Sequence, residues 1–136
     1  MDQQTDVVEL RIPRKPEFVS VARLAVSGIA GRMDFCYDDV EDIKLAVGEA
    51  CTSAMTEFPG GDSAVPITIR CESDTTRISI DVVDPTAKRR PGKGEQGDEP
   101  ISRLLMEVLM DEVEVREDED GVVTVRMTKF VARDEE

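Results

Sequence analysis

From Val7 to Ile12 apolar and polar residues alternate with the two-residue period of a short strand, and Pro13 and Pro16 close it. At Phe18 the period changes. Ala22, Ala25, Val26, Ile29 and Met33 recur at three- and four-residue spacing, which predicts a helix with one buried face, loosened near Gly31. A second helix is predicted from Asp38, whose side chain can cap backbone amides while Glu41 reaches back three residues, as in a capping box. Its inward face is Val40, Ile43, Val47, Ala50 and Ala54, and Pro59-Gly60-Gly61 ends it.

Residues 66–71 and 77–83 are rich in Ile, Val and Thr and form a hairpin pattern around the connection 72–76. The segment 84–99 has proline, three glycines and mixed charge without any period, which predicts a long irregular loop. Ile101, Leu104, Leu105, Val108 and Leu109 then follow the i, i+3, i+4, i+7, i+8 spacing of a third helix, with Asp98 and Glu99 as cap candidates and Pro100 near its first turn. Met106 and Met110 also have the spacing of core residues. Val113 and Val115 begin another strand, the acidic run 117–120 with Gly121 turns the chain, and Val123, Val125 and Met127 alternate along the last strand. The tail after 132 should fray.

The predicted order is therefore β-α-α-β-β-loop-α-β-β. Hairpin-linked strands mixed with helices predict an α/β fold: a two-layer α/β sandwich whose mixed, mostly antiparallel sheet carries helices on one face. With 136 residues, and no repeat or linker, one domain over 1–136 is expected, its core spanning 7–130.

Composition narrows the functions. Thirty Asp and Glu against seventeen Lys and Arg give a net charge of -13. That field repels phosphate backbones, so direct nucleic-acid binding is not expected, and it favours encounter with a basic protein. The three cysteines, Cys36, Cys51 and Cys71, form no metal or disulfide pattern and read as reduced thiols. The acidic, polar start and the lack of a bilayer-length apolar stretch predict a cytoplasmic protein without membrane association. There is no histidine, which excludes Ser-His-Asp and Cys-His catalysis and H-E-x-x-H metal sites. Chemistry would have to run on carboxylates, Lys, Arg and hydroxyls.

Three stretches carry a family resemblance: Ile12-Pro13-Arg14-Lys15-Pro16-Glu17 with Ala22-Arg23-Leu24; Asp38-Asp39-Val40-Glu41-Asp42-Ile43-Lys44-Leu45-Ala46-Val47-Gly48-Glu49-Ala50-Cys51-Thr52; and Leu105-Met106-Glu107-Val108-Leu109-Met110-Asp111-Glu112-Val113. Together with the element order they resemble the GHKL, or histidine-kinase-like, ATPases, and within them the RsbW and SpoIIAB anti-sigma serine kinases. The resemblance implies a protein that binds an alternative sigma factor, phosphorylates a serine of an anti-sigma antagonist with ATP and Mg²⁺, and commonly dimerises.

Carried onto this sequence, the resemblance makes Glu49 the catalytic carboxylate that accepts the attacking hydroxyl's proton. Ser53, four residues on and on the same helical face, stands where the family has an asparagine that ligates magnesium, so it is the candidate metal and cofactor residue. Asp84 matches the carboxylate that reads the adenine amino group, but Pro85-Thr86 replaces the expected x-Gly. Glu99, Pro100 and Ser102 fall where the phosphate-binding glycines should be, which makes 84–100 a degenerate ATP lid. Arg23 matches a first-helix arginine used in partner contact. The literal G-x-G-x-x-G of residues 92–97 neither follows a strand nor opens a helix in a βαβ unit, and is read as a loop; a displaced phosphate loop with Arg89, Arg90 and Lys93 is the alternative. The expected function is an anti-sigma regulator with weak or lost kinase activity. The alternatives are an active ATP-dependent serine-protein kinase and a GHKL-like protein-binding domain unrelated to sigma factors.

Overall fold

The computed structural model describes residues 4–56, 65–88, 101–120 and 122–132. In chain order the elements are β1 (Asp6–Ile12), a 3-10 turn (Pro16–Phe18), α1 (Val19–Ala30), α2 (Tyr37–Thr56), β2 (Ile67–Ser73), β3 (Arg77–Lys88), α3 (Ile101–Leu109), β4 (Glu112–Glu117) and β5 (Val122–Phe130). The strands form one sheet in the order β1-β2-β3-β5-β4, and every neighbouring pair is antiparallel. The expected two-layer α/β sandwich with a mostly antiparallel sheet is the observed architecture, and among the described strands the sheet is wholly antiparallel.

Strand parity decides which side chains meet the helices. Ile67, Ile69 and Cys71 on β2, Ile78, Ile80 and Val82 on β3 and Met127 on β5 are buried on one face. They join Ala22, Val26 and Ala30 of α1 and Ile43, Val47, Ala50 and Cys51 of α2 in a single cluster. Each fully buried Ile or Val there contributes about 1.5–3 kcal/mol of transfer free energy. The other face is polar. Register aligns Glu9, Arg70, Asp81, Arg126 and Glu114 in one row across all five strands, so charge alternates from strand to strand. Arg70 also pairs with Glu72, whose carboxyl that contact holds below its usual range.

Several boundaries differ from expectation. α1 stops at Ala30, and the Gly31 amide turns back to Ser27 O at 2.8 Å, so Met33 packs from a turn beyond the helix. α2 begins at Tyr37, and the Cys36 carbonyl receives Val40 N at 3.1 Å. Asp38 thus lies inside the first turn, suited to the helix dipole, while Glu41 meets Lys44 Nζ at 3.2 Å: the predicted capping box does not form. The connection 117–120 is an Asx-type turn, with Asp118 Oδ1 accepting from the amides of Asp120 and Val122. The predicted helix end at 59–61 and the fraying tail lie outside the described residues.

Two corrections bear on function. First, the segment from Asp84 is not loop from its start: β3 continues to Lys88, with its register against β5 shifting between Val83 and Lys88. Pro85 cannot donate to a ladder, and a bulge is where a strand tolerates it. Second, α3 turns its apolar period away from the core. Met106 and Met110 are buried, as expected, but Ile101, Leu104, Leu105 and Val108 are exposed and only Leu109 of that period packs on the core.

Candidate functional site

Glu49 is half-buried on α2, between the core residues Val47 and Ala50. One turn later Ser53 Oγ donates to Ser102 Oγ at 2.7 Å, so the position expected to hold magnesium is bonded to the first turn of α3. Ser102 is itself buried. The bond joins two of the predicted departures, Ser53 and Ser102, into one contact between α2 and α3. The other two phosphate-box positions, Glu99 and Pro100, and the residues Arg89, Arg90, Lys93 and 92–97, lie outside the described residues.

Asp84 sits at the β3 bulge and is 2% exposed. Its carboxylate is gripped by Arg14, which follows β1: Nη1 donates to Oδ2 at 2.5 Å and Nη2 to Oδ1 at 2.6 Å. Nη2 also reaches Val65 O at 3.2 Å. The fork-to-fork geometry is the strongest form of an arginine–carboxylate contact, and both partners are almost wholly out of water. A carboxylate so engaged has one lone pair on each oxygen committed to the guanidinium. Arg14 was not singled out by sequence reasoning, because periodicity and spacing carry no signal for a pair seventy residues apart.

Arg23 is seated against α2 instead of standing free. Its side chain crosses Gly48: a Cβ built there would lie 3.1 Å from Arg23 Cδ, and Arg23 Nε is buried without a hydrogen-bond partner. The structure thus brings Arg23 beside the residue before Glu49, while Asp84 belongs to the strand against which α2 packs. At the other end of α2, Lys129 of β5 donates to Leu109 O at 2.6 Å and stands 3.8 Å from both Asp39 and Asp42. It fixes the last turn of α3 against the first turns of α2.

A separate open cleft of about 620 Å³ between β1, α1 and the β2–β3 turn is lined by Asp6, Val8, Gly28, Arg32, Asp34 and Asp74 and contains none of Glu49, Ser53 or Asp84. Among the described residues no helix is long and apolar enough to cross a membrane.

Over residues 12–129, from the end of β1 almost to the end of β5, the chain matches the histidine kinase-like ATPase domain family, and it belongs to that family. It is 37% identical to a serine-protein kinase RsbW of Bacillus licheniformis, covering 98% of this chain and 91% of the relative. It is 39% identical to the serine-protein kinase RsbW of Halalkalibacterium halodurans, covering 97% and 88%, and 34% identical to that of Bacillus subtilis, covering 96% and 89%. The fold is also similar to a crystal structure of the RsbU and RsbW domains of a Mycobacterium tuberculosis protein, at a TM-score of 0.68 and 14% identity. That likeness covers 92% of this chain and 32% of the other.

Proposed function

We propose that this chain is a cytoplasmic anti-sigma regulatory factor of a partner-switching system, holding an alternative sigma factor or an anti-sigma antagonist by its surface, with nucleotide binding and kinase activity weakened or lost. The observation that carries the second half is the Arg14–Asp84 pair. The carboxylate that would read adenine already receives two charge-assisted hydrogen bonds from the protein itself. An incoming base would meet a carboxylate that is 2% exposed and has one lone pair on each oxygen already committed to a guanidinium, and displacing that guanidinium would strand a buried charge.

The magnesium position agrees. Ser53 offers a neutral hydroxyl, engaged with Ser102, where a hard divalent cation prefers carboxylate, carbonyl or amide oxygens. The residues present therefore fit Mg²⁺-ATP poorly, and no catalytic step is assigned through it. The first half of the reading rests on the RsbW relatives and on the net charge of -13, which suits a partner with a basic DNA-binding surface. Arg23, held in place by its seat on Gly48, is the residue we assign to partner contact.

The direct test is co-purification of the full chain with alternative sigma factors of the same organism in nucleotide-free buffer. Retention of the complex, reduced by Arg23→Ala, is expected; no complex with or without nucleotide would remove the anti-sigma reading. The second reading, an active serine-protein kinase, is favoured by the retention of Glu49 and Asp84 and by the names of the relatives. Transfer of labelled phosphate to the antagonist, abolished by Glu49→Ala, would establish it instead.

A further inference from the structure

The exposed face of α3 is apolar where a solvent-facing helix should be polar. Ile101 and Val108 are 83% and 80% exposed, and Leu104 and Leu105 are 49% and 41% exposed. These four occupy i, i+3, i+4 and i+7, so they form one continuous stripe along the helix. The opposite side is where the helix meets the protein: Ser102, Met106 and Met110 are each no more than 9% exposed. The orientation is set by polar anchors at both ends, Ser53 Oγ to Ser102 Oγ at 2.7 Å and Lys129 Nζ to Leu109 O at 2.6 Å. Rolling the stripe inward would break both and expose the two methionines. The stripe is therefore a fixed surface, and scattered apolar residues are normal on proteins while an ordered stripe marks a binding face.

Charge around the stripe decides what can cover it. Between residues 101 and 120 the chain has two arginines, Arg103 and Arg116, against eight carboxylates. Arg103 is turned to Glu107 at 3.3 Å and Arg116 to Glu114 at 3.1 Å, so both cations are already matched. Asp111 and Glu112 remain exposed just beyond α3, while Glu107 is the carboxylate matched to Arg103. Two copies of the chain meeting through this face would set these carboxylates against each other, a cost that grows as water is excluded.

We propose that the outer face of α3 is a docking groove for an amphipathic helix of another protein, one with apolar residues at i, i+3, i+4 and i+7 flanked by Lys or Arg. The apolar stripe supplies the buried contact and the acidic rim selects the partner and its orientation. This surface is distinct from Arg23 and from the Glu49–Ser53 face, and its test does not depend on the sigma-factor reading.

The probe is a labelled eighteen-residue helical peptide with leucine at those spacings and lysine and arginine on its flanks, titrated into the full chain and followed by fluorescence anisotropy. Saturable binding is expected that weakens with added salt. The Ile101→Ser/Val108→Ser double variant should lose about tenfold or more in affinity at an unchanged melting temperature, because both side chains already face water. A twin peptide with glutamates on its flanks should bind about tenfold more weakly or worse. Absence of saturable binding, equal affinity for the two peptides, or equal affinity of the variant would overturn the proposal. So would a large fall in the variant's melting temperature, which would mean that the chain covers the stripe itself. Sedimentation showing a self-associated chain that the same variant makes monomeric would assign the face to a second copy, and would also overturn it.

Discussion

Arg14 and Asp84, seventy residues apart in sequence, meet through two hydrogen bonds of 2.5 and 2.6 Å with both side chains almost wholly buried. The contact ties the segment after β1 to the bulged part of β3, across the strand β2 that separates them. It stabilises less than its geometry suggests, since both charges had to leave water, but losing one partner is costly.

Arg14→Ala should accordingly lower stability by about 3–5 kcal/mol, because it leaves a carboxylate buried and uncompensated. Replacing both partners with apolar residues of similar volume, Arg14→Met with Asp84→Leu, should recover most of that loss. Urea denaturation of the three proteins checks this; equal stability of the single variant and the parent would mean that the pair carries no such role.

The orientation of α3 is tested by two truncations two residues apart. Met106→Ala should cost about 2–5 kcal/mol, as for other buried large-to-small changes, whereas Val108→Ala on the exposed face should stay within about 0.5 kcal/mol. The reverse order in thermal or urea unfolding would show that the helix presents its other side to the core.

Asp81 gives a pH effect of definite sign. Burial pushes its carboxyl above the usual 3.8, partly opposed by Arg126. A raised acid binds its proton more tightly folded than unfolded, so its contribution favours the folded state below the unfolded pKa and is lost as pH rises through the folded one. Asp81→Asn should thus raise stability relative to the parent at neutral pH, and the gain should vanish on acidification below about pH 4. The nearby Glu72 works in the opposite direction, since its lowered pKa gives stability that is lost as pH falls.

The thiols should separate by environment. Burial pushes Cys51 up to about 12 and Cys71 up to about 11, while Cys36 is exposed. A thiolate-specific reagent at mildly alkaline pH should titrate one thiol quickly in the native chain and three after unfolding. Rapid reaction of two or three in the native chain would contradict the described packing.

Much of this fold was legible because its periods were clean. The hairpin pattern of 66–71 and 77–83, the alternation of Val123, Val125 and Met127 and the three- and four-residue spacing in α2 point to what faces the core, and the structure packs those apolar positions there, Val40 and Val125 only partly buried. α3 shows what a period does not say. Its stripe of Ile101, Leu104, Leu105 and Val108 is real, but which side the helix turns inward is set by Ser102 and Lys129, polar contacts from distant strands and helices. The capping box failed for a similar reason: Glu41 had a nearer use in Lys44. In the candidate site, Glu49, Ser53 and Asp84 were nominated by the resemblance, and the departures at Ser53 and Ser102 form one contact. Arg14 was not found, because a bidentate pair between a strand end and a bulge leaves no mark on either local sequence.

Whether the protein's own side chains occupy the groups that would hold the nucleotide is decided by titrating Mg²⁺-ATP into the purified chain in a calorimeter. No saturable heat is expected up to millimolar nucleotide, with Arg14→Ala binding no more weakly than the parent. Tight, stoichiometric binding by the parent chain, weakened by Asp84→Asn, would contradict it.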